Sequence, residues 1–421
     1  MKLLKINPKL LNGDVNIPPS KSMAHRAIIC AALSNGVSHI ENIDLSDDII
    51  ATIEGMRAMG ANIEVNDRSV IVQGIKSFKD KDITIDCNES GSTLRFLIPI
   101  SIVNDNKVRF IGQGNLGKRP LKPYYDIFDE KNIDYSFKED ILDLNIKGRL
   151  KPGDFYVNGN ISSQFISGLL FALPLLEEDS RLIINTELES KAYIDLTLAT
   201  MKDFGIEIDN KNYKEFIVKG NQKYKSKNYY VEGDYSQGAF FLCGGAIGND
   251  IRCFNLSEES LQGDKEIITI LESMGSSMVK KEYIKAEKNE LKGIIVDGAQ
   301  CPDIIPVITV VAALSEGITI IKNASRLRIK ECDRLKAIST ELNKIGANII
   351  EKEDGLIIDG VTSFTGGEVY SWDDHRIAMA LAIASTRCNN SLIIRNPMCV
   401  KKSYPKFFED FKELGGEYYY V

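Results

Sequence analysis

No two cysteines of this 421-residue chain stand at redox or metal-binding spacing. The eight, at positions 30, 87, 243, 253, 301, 332, 388 and 399, are scattered, and several lie in apolar runs. They read as buried thiols of a reducing cytoplasm, which excludes a disulfide framework and a zinc ribbon. Histidine is scarce, with three in all and no His/Cys cluster at ligand spacing, so neither a metal nor a cofactor is expected. Positive charge is not in excess: 52 Lys and Arg face 59 Asp and Glu, a net charge of −7. That argues against nucleic acid or an anionic membrane as a partner held by bulk charge. Long charge-free runs are missing too, since stretches such as Ile304–Leu314 are too short to cross a bilayer. The lysines of Met1–Leu11 are not followed by an apolar segment and a cleavage site, so no signal peptide is expected. What is left is a soluble, cytoplasmic protein. Its composition, 43% hydrophobic, suffices for a core, and its length allows two domains or more.

What is present is a repeat. Six stretches resemble one another: MRAMGANIEV, FDEKNIDYSF, MKDFGIEIDN, LESMGSSMVK, LNKIGANIIE and FKELGGEYYY. Each predicts a helix end, a residue tolerant of positive φ, then an alternating strand. Gly60, Asn132, Gly205, Gly275, Gly346 and Gly415 hold that position, at gaps of 72, 73, 70, 71 and 69 residues. A second series of apolar helices begins near Ser22, Ser92, Ser163, Ser236, Asp303 and Asp374, at gaps of 70, 71, 73, 67 and 71. Their bodies are apolar on nearly all faces, the pattern of a buried helix. Each unit of about seventy residues thus pairs a buried helix with an amphipathic one, such as DLSDDIIATIEGMRAMG, with strands between. Six units exceed one core and divide three and three, with VEGDYSQGA as the crossover. The strand-like DVNIP ahead of the first buried helix is expected to pair with the C-terminal half.

All six buried helices open on polar clusters: PSKSMAHR, NESGSTLR, NISSQFIS, GDYSQGA, CPDIIP and SWDDHR. Capping explains one residue of each. It leaves unexplained Arg26, Arg95 and Arg376, cations near helix N-termini where the macrodipole disfavours them. An anion lying among them would reconcile helix ends with guanidinium groups. Further basic residues stand in GKRPLKP (Lys118, Arg119, Lys122), in RIKECDRL, read as one helix face bearing Lys330, Glu331 and Arg334, and in VKKSYP (Lys401, Lys402). Each alone could be a solvated face. Together they suggest a cationic cleft for a small polyanion on an acidic protein.

PSKSMAHRA, NESGSTLRF, KRPLKP, ISSQFISGLL, ESKAYIDLTL, CPDIIP, RIKECDRL, DDHRIAMALAIAS and CVKKSYP, taken in order, resemble the 5-enolpyruvylshikimate-3-phosphate synthase family of enolpyruvyl transferases over nearly the whole chain. The resemblance implies an α/β (α+β) fold of two similar domains, each of three βαβαββ repeats around buried helices, like an inside-out α/β barrel. The domains would be 1–19 with 232–421, and 20–231, closing on substrate in an interdomain cleft. It implies transfer of the enolpyruvyl group of phosphoenolpyruvate to the 5-hydroxyl of shikimate 3-phosphate by addition–elimination, for aromatic amino acid biosynthesis. Carried over by motif, Ser162, Ser163 and Ser190 hold the shikimate phosphate, and Ser22 and Arg26 its carboxylate. Tyr193, Gln164 and Lys330 frame the ring, with Arg326 where some members place an amide. Phosphoenolpyruvate meets Lys21, Gly91, Arg119, Gln164, Arg334, His375, Arg376 and Lys402. Asp303 is the base, Glu331 the acid, and Lys21 reaches both the hydroxyl and the leaving phosphate. His25 is structural and His39 lies on the surface. Ser92 and Phe96 stand where many members carry Thr and Pro, which leaves sensitivity to the mimic glyphosate open. A monomer is expected.

Two other readings compete. The sister UDP-N-acetylglucosamine enolpyruvyl transferase typically carries a cysteine near GNLGKRP and a Lys-Asn pair near its start. Here that loop has no cysteine, and Ser22 follows Lys21. A noncatalytic phosphometabolite-binding protein of the same fold would have no need of a complete acid, base and clamp set.

Overall fold

The computed structural model describes residues 2–76 and 82–421. The chain forms two compact units: a terminal unit of Met1–Pro18 with Glu232–Val421, and an inserted unit of Pro19–Val231. Pro19 falls in the inserted unit, one residue from the boundary expected from the sequence.

The inserted unit contributes helices α1 (Lys21–Leu33) and α2 (Asp47–Ala58), α3 (Gly91–Ser101) and α4 (Lys122–Lys131), and α5 (Ser163–Ala172) and α6 (Lys191–Asp203). The terminal unit contributes α7 (Tyr235–Ala246) and α8 (Ile267–Ser273), α9 (Ile305–Ala312) and α10 (Arg334–Lys344), and α11 (His375–Ser385) and α12 (Phe407–Glu413). Each odd-numbered helix is buried along most or all of its length, as its apolar circumference requires. Each even-numbered helix buries one face only.

The strands form six separate four-stranded sheets, and no barrel closes among the described residues. One repeat shows the plan. Asp82–Asp86 pairs parallel with Asn106–Ile111, with α3 as the crossover a parallel pair needs. After α4 the hairpin Asp134–Phe137 and Asp143–Gly148 adds antiparallel to Asn106–Ile111. Three repeats follow this order of strand, buried helix, strand, amphipathic helix and hairpin along the chain. Each of the other three takes one strand from elsewhere in the sequence, as where Tyr229–Tyr230 pairs with Val37–Glu41. The amino-terminal strands complete the terminal unit. Leu3–Asn7 lies between Leu392–Arg395 and Glu417–Tyr420, and Asn12–Asn16 pairs parallel with Asp250–Phe254.

The repeat's punctuation is visible in the backbone. Gly60, Asn132, Gly205, Gly275, Gly346 and Gly415 all have positive φ, between 54° and 111°. Only residues without a Cβ penalty, or Asn with a mild one, end a helix this way cheaply. At the starts, Ser20, Ser90, Ser162, Asp234 and Asp374 accept backbone N–H bonds as caps. Asp303 does not cap: α9 begins two residues later, and the carboxylate is engaged by arginines. The RIKECDRL segment also differs from expectation. A 3₁₀ turn ends at Ile329, Lys330 is extended, and α10 begins only at Arg334, capped by Asp333. Lys330 and Glu331 thus lie in a bend ahead of the helix, because the Asp333 cap fixes where it starts. No helix among the described residues is long and apolar enough to cross a membrane.

Candidate active site

In the inserted unit the opening residues of α1, α3, α5 and α6 are linked by side-chain bonds. Gln164 donates from Nε2 to Ser92 Oγ (2.8 Å) and accepts from Arg95 Nη1 (2.7 Å). The hydroxyls of Ser90, Thr93 and Thr52 form a chain that ends on His25 Nδ1, with links of 2.7 Å. Burial, then the Lys21 and Arg26 charges, push His25 well below its ordinary pKa, so the imidazole stays neutral. His25 is thus buried at the end of this hydroxyl chain. Arg119 lies across Gly91: a Cβ there would stand 2.6 Å from Nη1 of the guanidinium, so glycine is what lets the arginine approach the helix end. Lys21 Nζ meets Asp48 at 2.6 Å, its side chain 16% exposed. Ser190 holds a left-handed φ of 55° at the start of α6.

Arg26 is the unusual group. It is 2% exposed, and its donors go to neutral oxygens: Nε to Thr197 Oγ1 (2.9 Å), Nη1 to the Ser22 carbonyl (2.7 Å) and Nη2 to the Tyr193 carbonyl (2.9 Å). The Phe96 and Tyr193 rings lie 5.2 and 6.0 Å from the guanidinium carbon. No carboxylate pairs with it among the described residues. Burial pushes its pKa down to about 10, only partly offset by Tyr193. Desolvating a buried cation without a counter-ion costs roughly several kcal/mol, which an arriving anion would recover. Ser22 and Arg26 therefore do share one helix face, joined through the Ser22 carbonyl.

The terminal unit is built the opposite way, around an over-paired cation. Arg334, 1% exposed, donates to Asp374 (2.7 Å), Asp303 (2.8 Å) and Glu331 (2.6 Å). Burial alone would lower its pKa, but Asp374, Glu331 and Asp303 outweigh it and hold it well above the ordinary value. Arg376 reaches both the Asp303 carboxylate (3.1 Å) and its carbonyl (3.0 Å), and Lys330 lies 3.6 Å from the same carboxylate. Arg376 thus has a protein counter-ion, where the sequence pattern pointed to an external anion. The expected base and acid, Asp303 and Glu331, share one guanidinium, and Asp303 faces two further cations. Lys330 is pushed down to about 8, chiefly by burial, with Asp303 opposing and Arg326 and Arg334 adding to the shift. Asp264, bonded to Ser236, is raised to about 6 by burial and the Asp303 charge. Arg326 is buried in the 3₁₀ turn Ser325–Ile329. His375 and Arg376 open α11, and Lys402 Nζ donates to the Asp373 carbonyl (2.9 Å).

Of the expected site residues, Lys21, Ser22, Arg26, Gly91, Arg119, Ser162, Ser163, Gln164, Ser190 and Tyr193 belong to the inserted unit. Asp303, Arg326, Lys330, Glu331, Arg334, His375, Arg376 and Lys402 belong to the terminal unit. Asp48, Thr197 and Asp264 join these sets without having been singled out in the sequence. Thr197, one turn after Tyr193, carries the only local signal among them. No group of three His, Cys, Asp or Glu among the described residues could hold a metal. All eight cysteines are free; seven are buried and Cys332 is half-buried.

The family model for EPSP synthase (3-phosphoshikimate 1-carboxyvinyltransferase) matches residues 6–411. A 3-phosphoshikimate 1-carboxyvinyltransferase of Clostridium perfringens is 64% identical over 419 residues, covering 99% of each chain. One from Clostridioides difficile is 61% identical, covering 99% of this chain and 98% of its own. Among solved structures, an EPSP synthase from Acinetobacter baumannii superposes with a TM-score of 0.83 at 25% identity, over the full length of both chains.

Proposed function

Because the chain belongs to the EPSP synthase family, we propose that its two half-sites work on one pair of substrates. The chain transfers the enolpyruvyl group of phosphoenolpyruvate to the 5-hydroxyl of shikimate 3-phosphate, releasing phosphate, in aromatic amino acid biosynthesis. One observation carries the assignment of residues: Arg26, a buried guanidinium with neutral partners only, is set to take the shikimate carboxylate, with the Ser22 hydroxyl beside it. Ser162, Ser163 and Ser190 take the shikimate phosphate as hydroxyl donors at two helix starts. Tyr193, Gln164, Arg326 and Lys330 border the ring. Lys21, Arg119, Arg334, Arg376, His375 and Lys402, with the backbone at Gly91, neutralise the phosphate and carboxylate of phosphoenolpyruvate.

The chemistry needs a base and an acid. Asp303 takes the 5-hydroxyl proton as that oxygen bonds to C2 of phosphoenolpyruvate. Glu331 protonates the methylene, giving a methyl group and a tetrahedral intermediate. Elimination reverses the proton flow: a methyl proton is lost, the double bond re-forms, and phosphate departs with the Lys21 ammonium beside it. Asp303 sits among three cations while Glu331 is bound to Arg334, surroundings unequal enough to divide the roles. The reading fails if purified protein releases no phosphate from phosphoenolpyruvate with shikimate 3-phosphate, or releases it instead with UDP-N-acetylglucosamine.

Lys330 adds a pH dependence. Its lowered pKa makes it a cation below about 8 and neutral above, so its attraction for an anionic substrate is lost as pH rises through that value. The expected result is that kcat/KM for shikimate 3-phosphate falls above pH 8, and that Lys330→Arg, which keeps its charge, removes this limb. An unchanged limb in that variant would assign the ionisation elsewhere.

A further inference from the structure

Five residues lead into α11: Tyr370, Ser371, Trp372, Asp373 and Asp374. Trp372 and Asp373 both have left-handed φ, 54° and 55°. Two consecutive non-glycine residues in that region, one of them bulky, are strained and persist only where the surroundings impose them. The turn matters because of what it carries. Asp374 binds Arg334, Arg376 follows two residues later, and the Asp373 carbonyl receives Lys402.

The restraint comes from α10. Glu341 is 1% exposed, and its carboxylate is shared across the turn. Oε1 accepts the Trp372 indole N–H (2.8 Å), Oε2 accepts the Tyr370 backbone N–H (3.0 Å), and Lys344 Nζ neutralises both at 2.8 Å. Asp373 is tied in turn by Tyr370 Oη (2.6 Å) and by Asn396. Arg334 and Glu341 lie seven residues apart, two helical turns, and so share one face of α10. One helix therefore holds the strained turn at two points, Asp374 through Arg334 and Trp372 through Glu341.

We propose that Glu341 is a positioning residue for the phosphoenolpyruvate half of the site: it imposes the Trp372–Asp373 turn that sets Arg376 and the Lys402 contact. This rests on the reading of Arg376 and Lys402 as phosphoenolpyruvate groups. Glu341 touches no substrate and acts through the turn alone. Its removal should therefore weaken one substrate and leave the other untouched, whereas a general loss of packing would affect both.

Trp372 is the sole tryptophan of the chain, so its emission reports on this turn. In Glu341→Gln the expected results are a changed Trp372 emission maximum, a KM for phosphoenolpyruvate raised roughly tenfold, and a KM for shikimate 3-phosphate within twofold of the parent. Binding of phosphoenolpyruvate alone, followed by Trp372 emission, should weaken by a similar factor. Trp372→Phe keeps a ring but removes the indole donor, guards against misfolding of the first variant, and should raise the same KM several-fold. Unchanged phosphoenolpyruvate constants in both variants, or equal losses for both substrates, would overturn the proposal. If the unsubstituted chain neither turns over the pair nor binds phosphoenolpyruvate, the functional reading itself has failed; a normal parent with normal variants sinks only the role of Glu341.

Discussion

Lys21→Met should lower kcat by about 10³-fold while the protein keeps its fold, as expected when one preorganised charge is removed from developing phosphate charge. Methionine has nearly the reach of lysine and no charge, so the first turn of α1 loses little packing. The Ser20 cap that starts the helix is untouched. Folding loses the contact with Asp48, a carboxylate only 14% exposed. Breaking a largely buried pair from one side costs up to about 3 kcal/mol, a fall of several degrees in Tm. Circular dichroism and thermal melts check the fold, and phosphate release checks turnover. Retained activity would remove Lys21 from the mechanism. Lys21→Arg separates charge from geometry: it keeps the cation but spreads it over a larger planar group, and should recover only part of the rate.

Arg334→Met should be the most destabilising single change. It leaves Asp303, Glu331 and Asp374 facing one another without the cation they share. Removing one partner from a buried ion network costs about 3–5 kcal/mol. For a unit of this size that is a fall in Tm of roughly 10 °C. Asp303 keeps Arg376 and Lys330 beside it, so the loss falls chiefly on Asp374 and Glu331. Thermal melts of variant and parent check its size, and an unchanged Tm would mean that the network contributes nothing to the fold. Turnover should vanish at every pH, since phosphoenolpyruvate loses a clamp and the acid loses its partner.

These two residues mark what the sequence makes legible. Helix starts and stops are local: a Ser or Asp cap and a residue tolerant of positive φ lie within one turn of the helix they bound, so Gly60 through Gly415 and the polar clusters could be read directly. Lys21, Arg26, Arg95 and Arg376 stand out for the same reason, as cations where a cap would do. Partnership is not local. Arg26 finds Thr197 across 171 residues, Lys21 finds Asp48 across 27, and Arg334 finds Asp374 across 40. Spacing arguments reach about one turn, which is why Glu331 and Arg334 could be read together on one face and the other carboxylates around that guanidinium could not. The same limit made Lys330 look helical. The Asp333 cap, which halts the helix three residues after Lys330, is as good a signal as any other, but it sits inside a run of charges that reads equally well as a helix face. Nor does any pattern tell that Arg26 has no carboxylate partner among the described residues while Arg376 has one; that depends on which carboxylates the fold brings near.

The strand Leu3–Asn7 takes its neighbours from Leu392–Arg395 and Glu417–Tyr420. On a ribosome it therefore emerges with nothing to pair with. The inserted unit, contiguous from Pro19 to Val231, can complete all three of its sheets while the rest of the chain is still being made. At ordinary elongation rates the first strand waits on the order of tens of seconds for its partners. Over that interval an apolar edge (Leu4 and Ile6 are fully buried in the finished protein) is open to the wrong strand. The order of synthesis thus makes the terminal unit, and with it the Arg334 network, the last part of the molecule to be assembled.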